Sequence, residues 1–169
     1  MSKQSPATTF RILCVCTGNI CRSPTAEAVL RQRFDAAGLD VAIDSASTHG
    51  YHIGSGPDRR SQQAGKSRGY DFTGQRARQV EAADFDRFDL ILAMDQGHFD
   101  SLMRQKLDNS RAEIALMLSF LPPDHDFGAG LDVPDPYYGS EGGFEHVLDL
   151  IEAAADGIIL DIRSRLNPA

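Results

Sequence analysis

Apolar positions along this chain alternate between short runs and longer stretches in which they recur every three or four residues. Residues 10–15 read as a buried strand, because Phe10, Ile12, Leu13 and Val15 are strand formers and only Arg11 is polar. A loop follows, then a helix with clear start signals. Ser23 is expected to cap it and Pro24 to take its first position. Ala26, Val29, Leu30, Phe34 and Ala37 then recur at helical spacing, and Gly38 suits the end. Residues 41–43 read as a second short strand, and 58–68 as a polar helix ending at Gly69. Residues 90–94 form a third apolar run, after which Asp95 can cap a helix through Leu102 and Met103. Residues 112–116 are a weaker fourth strand. Phe144, Val147, Leu148, Ile151, Ala155, Ile158, Ile159, Ile162 and Leu166 make one apolar stripe on a last helix. Strands alternating with helices predict an α/β domain with a parallel sheet covered on both faces. Such sheets bind ligands at the carboxyl ends of their strands. Two irregular segments would lie there: 16–23, and the Pro-, Gly- and Asp-rich stretch 122–143.

Composition narrows this picture. The 169 residues are 41% hydrophobic, enough for a core. The formal net charge of −7 argues against a nucleic-acid binder, which needs a basic surface. No apolar run is long enough for a membrane helix, and residues 1–9 are polar with no secretory pattern, so a mobile start and a single domain over 10–169 are expected. The three cysteines, Cys14, Cys16 and Cys21, crowd one short stretch. That is neither a disulfide framework nor a zinc pattern, and it points to a reducing, cytoplasmic setting. Cys14 lies within the first strand and reads as plain core.

The stretch Cys16-Thr17-Gly18-Asn19-Ile20-Cys21-Arg22-Ser23 places a cysteine, five residues, then arginine and serine between a strand and a helix. A loop feeding a helix N-terminus aims several backbone N–H groups at one point, and the helix dipole adds positive potential there. A tetrahedral oxyanion suits that point. Gly18 and Asn19 tolerate the left-handed backbone that such a loop needs. Arg22 supplies a planar fork for two phosphate oxygens. A free thiol titrates near ~8.5, and a positive field of this kind favours the Cys16 thiolate. Ser23 can donate a hydrogen bond to the sulfur. The loop lacks the Gly-Lys-Ser/Thr of a nucleotide-binding P-loop.

The segment Val15-Cys16-Thr17-Gly18-Asn19-Ile20-Cys21-Arg22-Ser23-Pro24-Thr25-Ala26-Glu27-Ala28 resembles the signature of the low-molecular-weight protein tyrosine phosphatases. Asp135-Pro136-Tyr137-Tyr138-Gly139 resembles the same family's acid loop, and the likeness runs from Arg11 to Leu166. It implies a three-layer αβα sandwich around a roughly four-stranded parallel sheet, flavodoxin-like. It implies hydrolysis of phosphotyrosine through a cysteinyl-phosphate, with Cys16 as nucleophile. Arg22 and the amides of Thr17, Gly18, Asn19, Ile20, Cys21 and Arg22 would hold the phosphate, and no metal or cofactor is called for. Expelling a phenolate whose acid has a pKa of ~10 is slow without a proton donor. Asp135 is expected to be that acid, then the base for water, with Asp132 as a nearby competitor. Asn19, Ser23 and Ser45 would brace the loop. Gln75 stands where the family often has a histidine completing that support. Thr17, Tyr51, Tyr137 and Tyr138 would line the cleft, with His49 and His52 near it. The resemblance also implies a reversible Cys16–Cys21 disulfide under oxidation, although Cys21 could equally be filler. The basic pairs Arg59/Arg60 and Arg76/Arg78 read as solvated faces.

The expected partners are tyrosine-phosphorylated proteins, a bacterial tyrosine kinase or capsule-export system among them, with small phosphate esters as the alternative substrates, met by a monomer. Nucleic acid and membrane are not expected partners. Two rivals share the motif. An arsenate reductase of this fold uses further downstream cysteines, and none follows Cys21 here. A non-catalytic phosphotyrosine reader would be free to lose the thiol or the acid, and would bind without turnover.

Overall fold

The computed structural model describes residues 9–125, 130–139 and 142–168, so the expected polar start lies outside the described residues except for Thr9. Strands β1 (Phe10–Cys16), β2 (Val41–Ser47), β3 (Leu90–Ala93) and β4 (Glu113–Leu116) form one sheet in the order β2-β1-β3-β4. Every neighbouring pair is parallel. The helices are α1 (Arg22–Ala36), α2 (Arg59–Ser67), α3 (Asp84–Arg87), α4 (Gln96–Gln105) and α5 (Gly142–Leu166), with a 3-10 turn over Met117–Phe120.

Alternation along β1 explains the layers. Ile12, Cys14 and Cys16 pack with Val29 and Phe34 of α1 and with Ile151 and Ile158 of α5. Leu13 and Val15 point the other way, into a cluster with Phe85 of α3 and Leu102 of α4. Both faces are thus dry, which is why β1 reads as a continuous apolar run. Each fully buried Leu, Ile or Val contributes roughly 1.5–3 kcal/mol relative to exposure. Cys14 is wholly buried, as a core residue. Gly157 lets α5 close on the 3-10 turn, since a Cβ there would meet Phe120 O at 1.9 Å.

Three expectations are corrected. The second strand does not stop at residue 43 but runs to Ser47, opposite Cys16 in register. Its second half is polar because Ser45 and Ser47 are tied by specific hydrogen bonds rather than by apolar packing. Ser23 does not cap α1, and Pro24 stands third in the helix rather than first. The helix begins at Arg22, its N-cap Cys21 makes no side-chain capping bond, and the Ser23 hydroxyl turns to the sulfur of Cys16 instead. Helix α3 and the 3-10 turn were too short to leave a periodic signal. Asp95 does cap α4, accepting the His98 N–H at 2.9 Å. No helix of the described residues is long and apolar enough to cross a membrane.

The strand order reverses between β1 and β3, so the crevice at their carboxyl ends is where a ligand belongs. Cys16 ends β1 there, and Met94 and Asp95 follow β3.

Candidate active site

Cys16 is 3% exposed at the floor of this crevice, and the chain then curls over it into α1. The N–H groups of Thr17, Gly18, Asn19, Ile20 and Cys21 find no acceptor among the described residues. Together with the uncapped start of α1 they form a ring of free donors. Asn19 makes the curl possible. It has φ 57°, a left-handed conformation that asparagine tolerates. A Cβ at Gly18 would lie 2.9 Å from the His52 ring, which would have to turn aside.

Hydrogen bonds set the direction of protons behind the loop. Asn19 Nδ2 donates to Ser23 Oγ at 2.8 Å and to Ser45 Oγ at 2.9 Å. Ser45 in turn donates to Glu27 Oε1 at 3.1 Å. With a donor already supplied by Asn19, the Ser23 proton is directed to the sulfur of Cys16, 3.0 Å away, the Ala46 carbonyl at 3.5 Å being the longer alternative. Asn19 Oδ1 accepts the Arg78 N–H at 3.1 Å, so both ends of its amide are engaged. Arg78 is not a solvated face: it pairs with Asp44 and the fully buried Asp84. Gln75 reaches the loop only at second hand, donating to Glu27 Oε2 at 2.5 Å and to Pro24 O at 3.1 Å. Burial pushes the Glu27 carboxyl up, against the pull of Arg31 and the bonds from Gln75 and Ser45.

Arg22 is 4% exposed and held from several sides. Its Nη1 donates to Asp95 Oδ2 at 2.9 Å and to Val133 O at 3.1 Å. Its Nη2 lies 3.4 Å from Thr17 Oγ1 and 3.5 Å from Asp135 Oδ2. Val133 also anchors the Asp135 loop, since its N–H donates to Met94 O at 2.8 Å. Asp135 Oδ1 accepts the Tyr137 N–H at 3.0 Å and its other oxygen faces the arginine. Asp132, the competitor, is turned away and accepts the Gln96 N–H at 2.9 Å.

These groups enclose a cavity of about 340 Å³ lined by Cys16, Thr17, Arg22, Tyr51, Asp135 and Tyr137, with Gly18, Ile20, Cys21, His52 and Tyr138 completing it. Tyr51 stacks on His49 and is 71% exposed, and Tyr138 meets Tyr137 edge-on. Arg60 lies over the rings of Tyr137 and Phe144, so this arginine is not merely solvated either. Burial pushes the Cys21 thiol up to about 12 and the Cys14 thiol well above its usual value. Neither is ionised at neutral pH. Among the described residues, no group of three His, Cys, Asp or Glu could hold a metal ion.

Sequence reading brought together Cys16, Arg22, Asp135 and the loop, and missed four supporting residues. Glu27 lay inside the motif with no role assigned. Asp95 suits a helix cap at the end of the third strand, with no contact to the arginine visible in the sequence. His98 was one of five scattered histidines, and Val133 one valine in an irregular stretch. Only contacts across the fold give them parts.

The family model described as low molecular weight phosphotyrosine protein phosphatase matches residues 11–167. A low molecular weight protein-tyrosine-phosphatase of Streptomyces coelicolor is 44% identical over 162 residues, 94% of this chain and 97% of that protein. The crystal structure of a protein tyrosine phosphatase from Entamoeba histolytica superposes with a TM-score of 0.86 at 37% identity, covering 94% of this chain and all of the other. YfkJ from Bacillus subtilis gives 0.85 at 36% identity, over 96% of this chain and all of its own.

Proposed function

The chain belongs to the low molecular weight phosphotyrosine protein phosphatases and hydrolyses the phosphate ester of tyrosine, and we propose that it does so through Cys16, Arg22 and Asp135. The Cys16 sulfur attacks phosphorus in line with the leaving phenolic oxygen. A sulfur–phosphorus bond forms as the phosphorus–oxygen bond breaks, and Asp135 gives its proton to that oxygen. Water then attacks the phosphocysteine, Asp135 takes the proton, and the thiolate leaves with the Ser23 hydroxyl donating to it. The loop N–H groups and Arg22 carry the charge on the equatorial oxygens.

The observation that carries this reading is the convergence on one cavity of a thiol, an arginine and a ring of unpaired N–H groups, with a carboxylate at the rim. Tyr51, Tyr137 and Tyr138 give that rim flat apolar faces suited to a phenyl ring. The substrates are tyrosine-phosphorylated protein segments. Every group the reaction needs comes from one chain, which supports a monomer with one catalytic domain over 10–169. A reduced thiol is required, which supports the cytoplasm as its place of work.

The test is turnover of a phosphotyrosine peptide in the presence of chelator, beside its binding. Wild type should release phosphate, and Cys16→Ser should bind the peptide without releasing any. Turnover by Cys16→Ser at the wild-type rate would overturn the assignment.

A further inference from the structure

His98 is 4% exposed, and the steps assigned to Cys16, Arg22 and Asp135 do not call on it. Its Nε2 lies 2.8 Å from Thr17 Oγ1. Its Nδ1 lies 3.1 Å from Asp95 Oδ1, off the hydrogen-bond axis. A ring nitrogen that close to a carboxylate oxygen is better protonated than left as a lone pair, so the proton belongs on Nδ1. Nε2 is then an acceptor, and the Thr17 hydroxyl must donate to it. Burial, above all, pushes the His98 pKa down to about 4, with Asp95 and Asp135 opposing and Arg22 and His49 adding to the shift. The ring is therefore neutral at neutral pH.

Four residues thus close a circuit. Arg22 Nη1 is held by Asp95 at 2.9 Å, Asp95 receives the backbone N–H of His98 at 2.9 Å, His98 takes the Thr17 proton, and Thr17 Oγ1 faces Arg22 Nη2 at 3.4 Å. We propose that His98 is a positioning residue: by accepting the Thr17 proton it turns the Thr17 oxygen lone pairs toward Arg22 and fixes the plane of the guanidinium. Were the acceptor absent, the Thr17 hydroxyl could rotate and present its proton to the arginine, donor against donor. A planar fork binds two phosphate oxygens only when its plane is set, so tilting it weakens both bonds.

This inference rests on the reading that Arg22 holds the phosphate. The experiment is a double-mutant cycle with His98→Leu and Thr17→Val, read as kcat/KM for a phosphotyrosine peptide and as inhibition by inorganic phosphate. Each single variant should lose about tenfold in both, the scale of one lost hydrogen bond to a charged site. The double variant should lose no more than Thr17→Val alone, because the leucine then removes an acceptor that nothing uses. His98→Gln, which keeps an acceptor near the Nε2 position, should recover most of the loss. A merely structural histidine would not show that rescue, nor the coupling to Thr17. Thermal melts identify a variant that has failed to fold, and Thr17→Val and His98→Gln then still decide. Additive losses, or a His98→Leu enzyme with unchanged phosphate inhibition, would overturn the proposal. An Arg22→Ala enzyme with unchanged phosphate inhibition would instead overturn the site reading on which it stands.

Discussion

The loop from Cys16 to Arg22 is buried and braced from behind, whereas the loop that carries Asp135 lies open and hangs from few anchors. Asn19, Arg22 and Ser23 are 4% exposed or less; Asn19 and Arg22 are bound by partners from other parts of the fold, and Ser23 is bound by Asn19. Around Asp135, Tyr138 is 90% exposed, and the anchors are the fully buried Val133 and Arg60, which donates to Tyr137 O at 3.1 Å. The difference follows from what each side has to do. A pentacoordinate phosphorus gains from donors that are fixed before it forms, since any reorganisation during the reaction adds to the barrier. The acid must let a protein-bound tyrosine in and then deliver and recover a proton, which an open rim permits. Rigidity is concentrated where charge develops, and access where the substrate enters.

The same contrast explains how an acidic protein can hold a phosphate dianion. The net charge of −7 is spread over the whole chain, while one arginine, a set of N–H groups and a helix start act at a single point. Acidic residues even help there, since Asp95 fixes Arg22 at 2.9 Å.

The sharpest way to separate the two loops is to remove the acid. Asp135→Asn should slow phenyl phosphate hydrolysis roughly a hundredfold, the usual scale for a general acid. It should cost far less for an aryl phosphate whose phenol is already acidic, because that leaving group needs no proton. A uniform loss across a leaving-group series would contradict the role. Next in size, Asn19→Ala removes the bonds to Ser23, Ser45 and the Arg78 N–H at a left-handed position. Turnover should fall about tenfold with every leaving group, equal to roughly 1.4 kcal/mol of barrier. The melting temperature should fall as well, since each buried partner left unpaired costs about 1–3 kcal/mol. If Asn19→Ala showed the leaving-group pattern of Asp135→Asn, the division between the loops would collapse.

The smallest effect concerns pH. His98 takes a proton near 4 when folded and near 6.5 when unfolded. Between those values the unfolded chain binds more protons, so this group's share of stability is present above 6.5 and is lost as pH falls toward 4. Urea midpoints measured across that window should drop with pH in wild type, and His98→Leu should flatten part of the slope. An identical slope in both would show that His98 does not titrate as its burial requires.

The fold was largely legible because its signals are local. Apolar runs marked β1 and β3, a helical stripe marked α5, and Asp95 announced α4. The polar half of β2 was not legible, because Ser45 and Ser47 stay in a strand through hydrogen bonds to Asn19, Glu27 and the Arg78 carbonyl. The site divides in the same way. Cys16, Arg22 and Asp135 sit in two contiguous motifs and could be picked out as words. Glu27, His98 and Val133 act through contacts with residues far along the chain, and no spacing rule reports those. Ser23 shows the limit from the other side: its type and place suited a helix cap, but the sulfur at 3.0 Å claims its hydroxyl.

The central claim is that the phosphoryl group passes through the sulfur of Cys16. Asp135→Asn enzyme, slow to hydrolyse its intermediate, can be quenched in acid during turnover of an activated aryl phosphate and its peptides examined by mass spectrometry. One phosphoryl group should appear on the peptide that carries Cys16 and be absent from the Cys16→Ser variant. Turnover with no such adduct, or with the phosphoryl group on another residue, would contradict the claim.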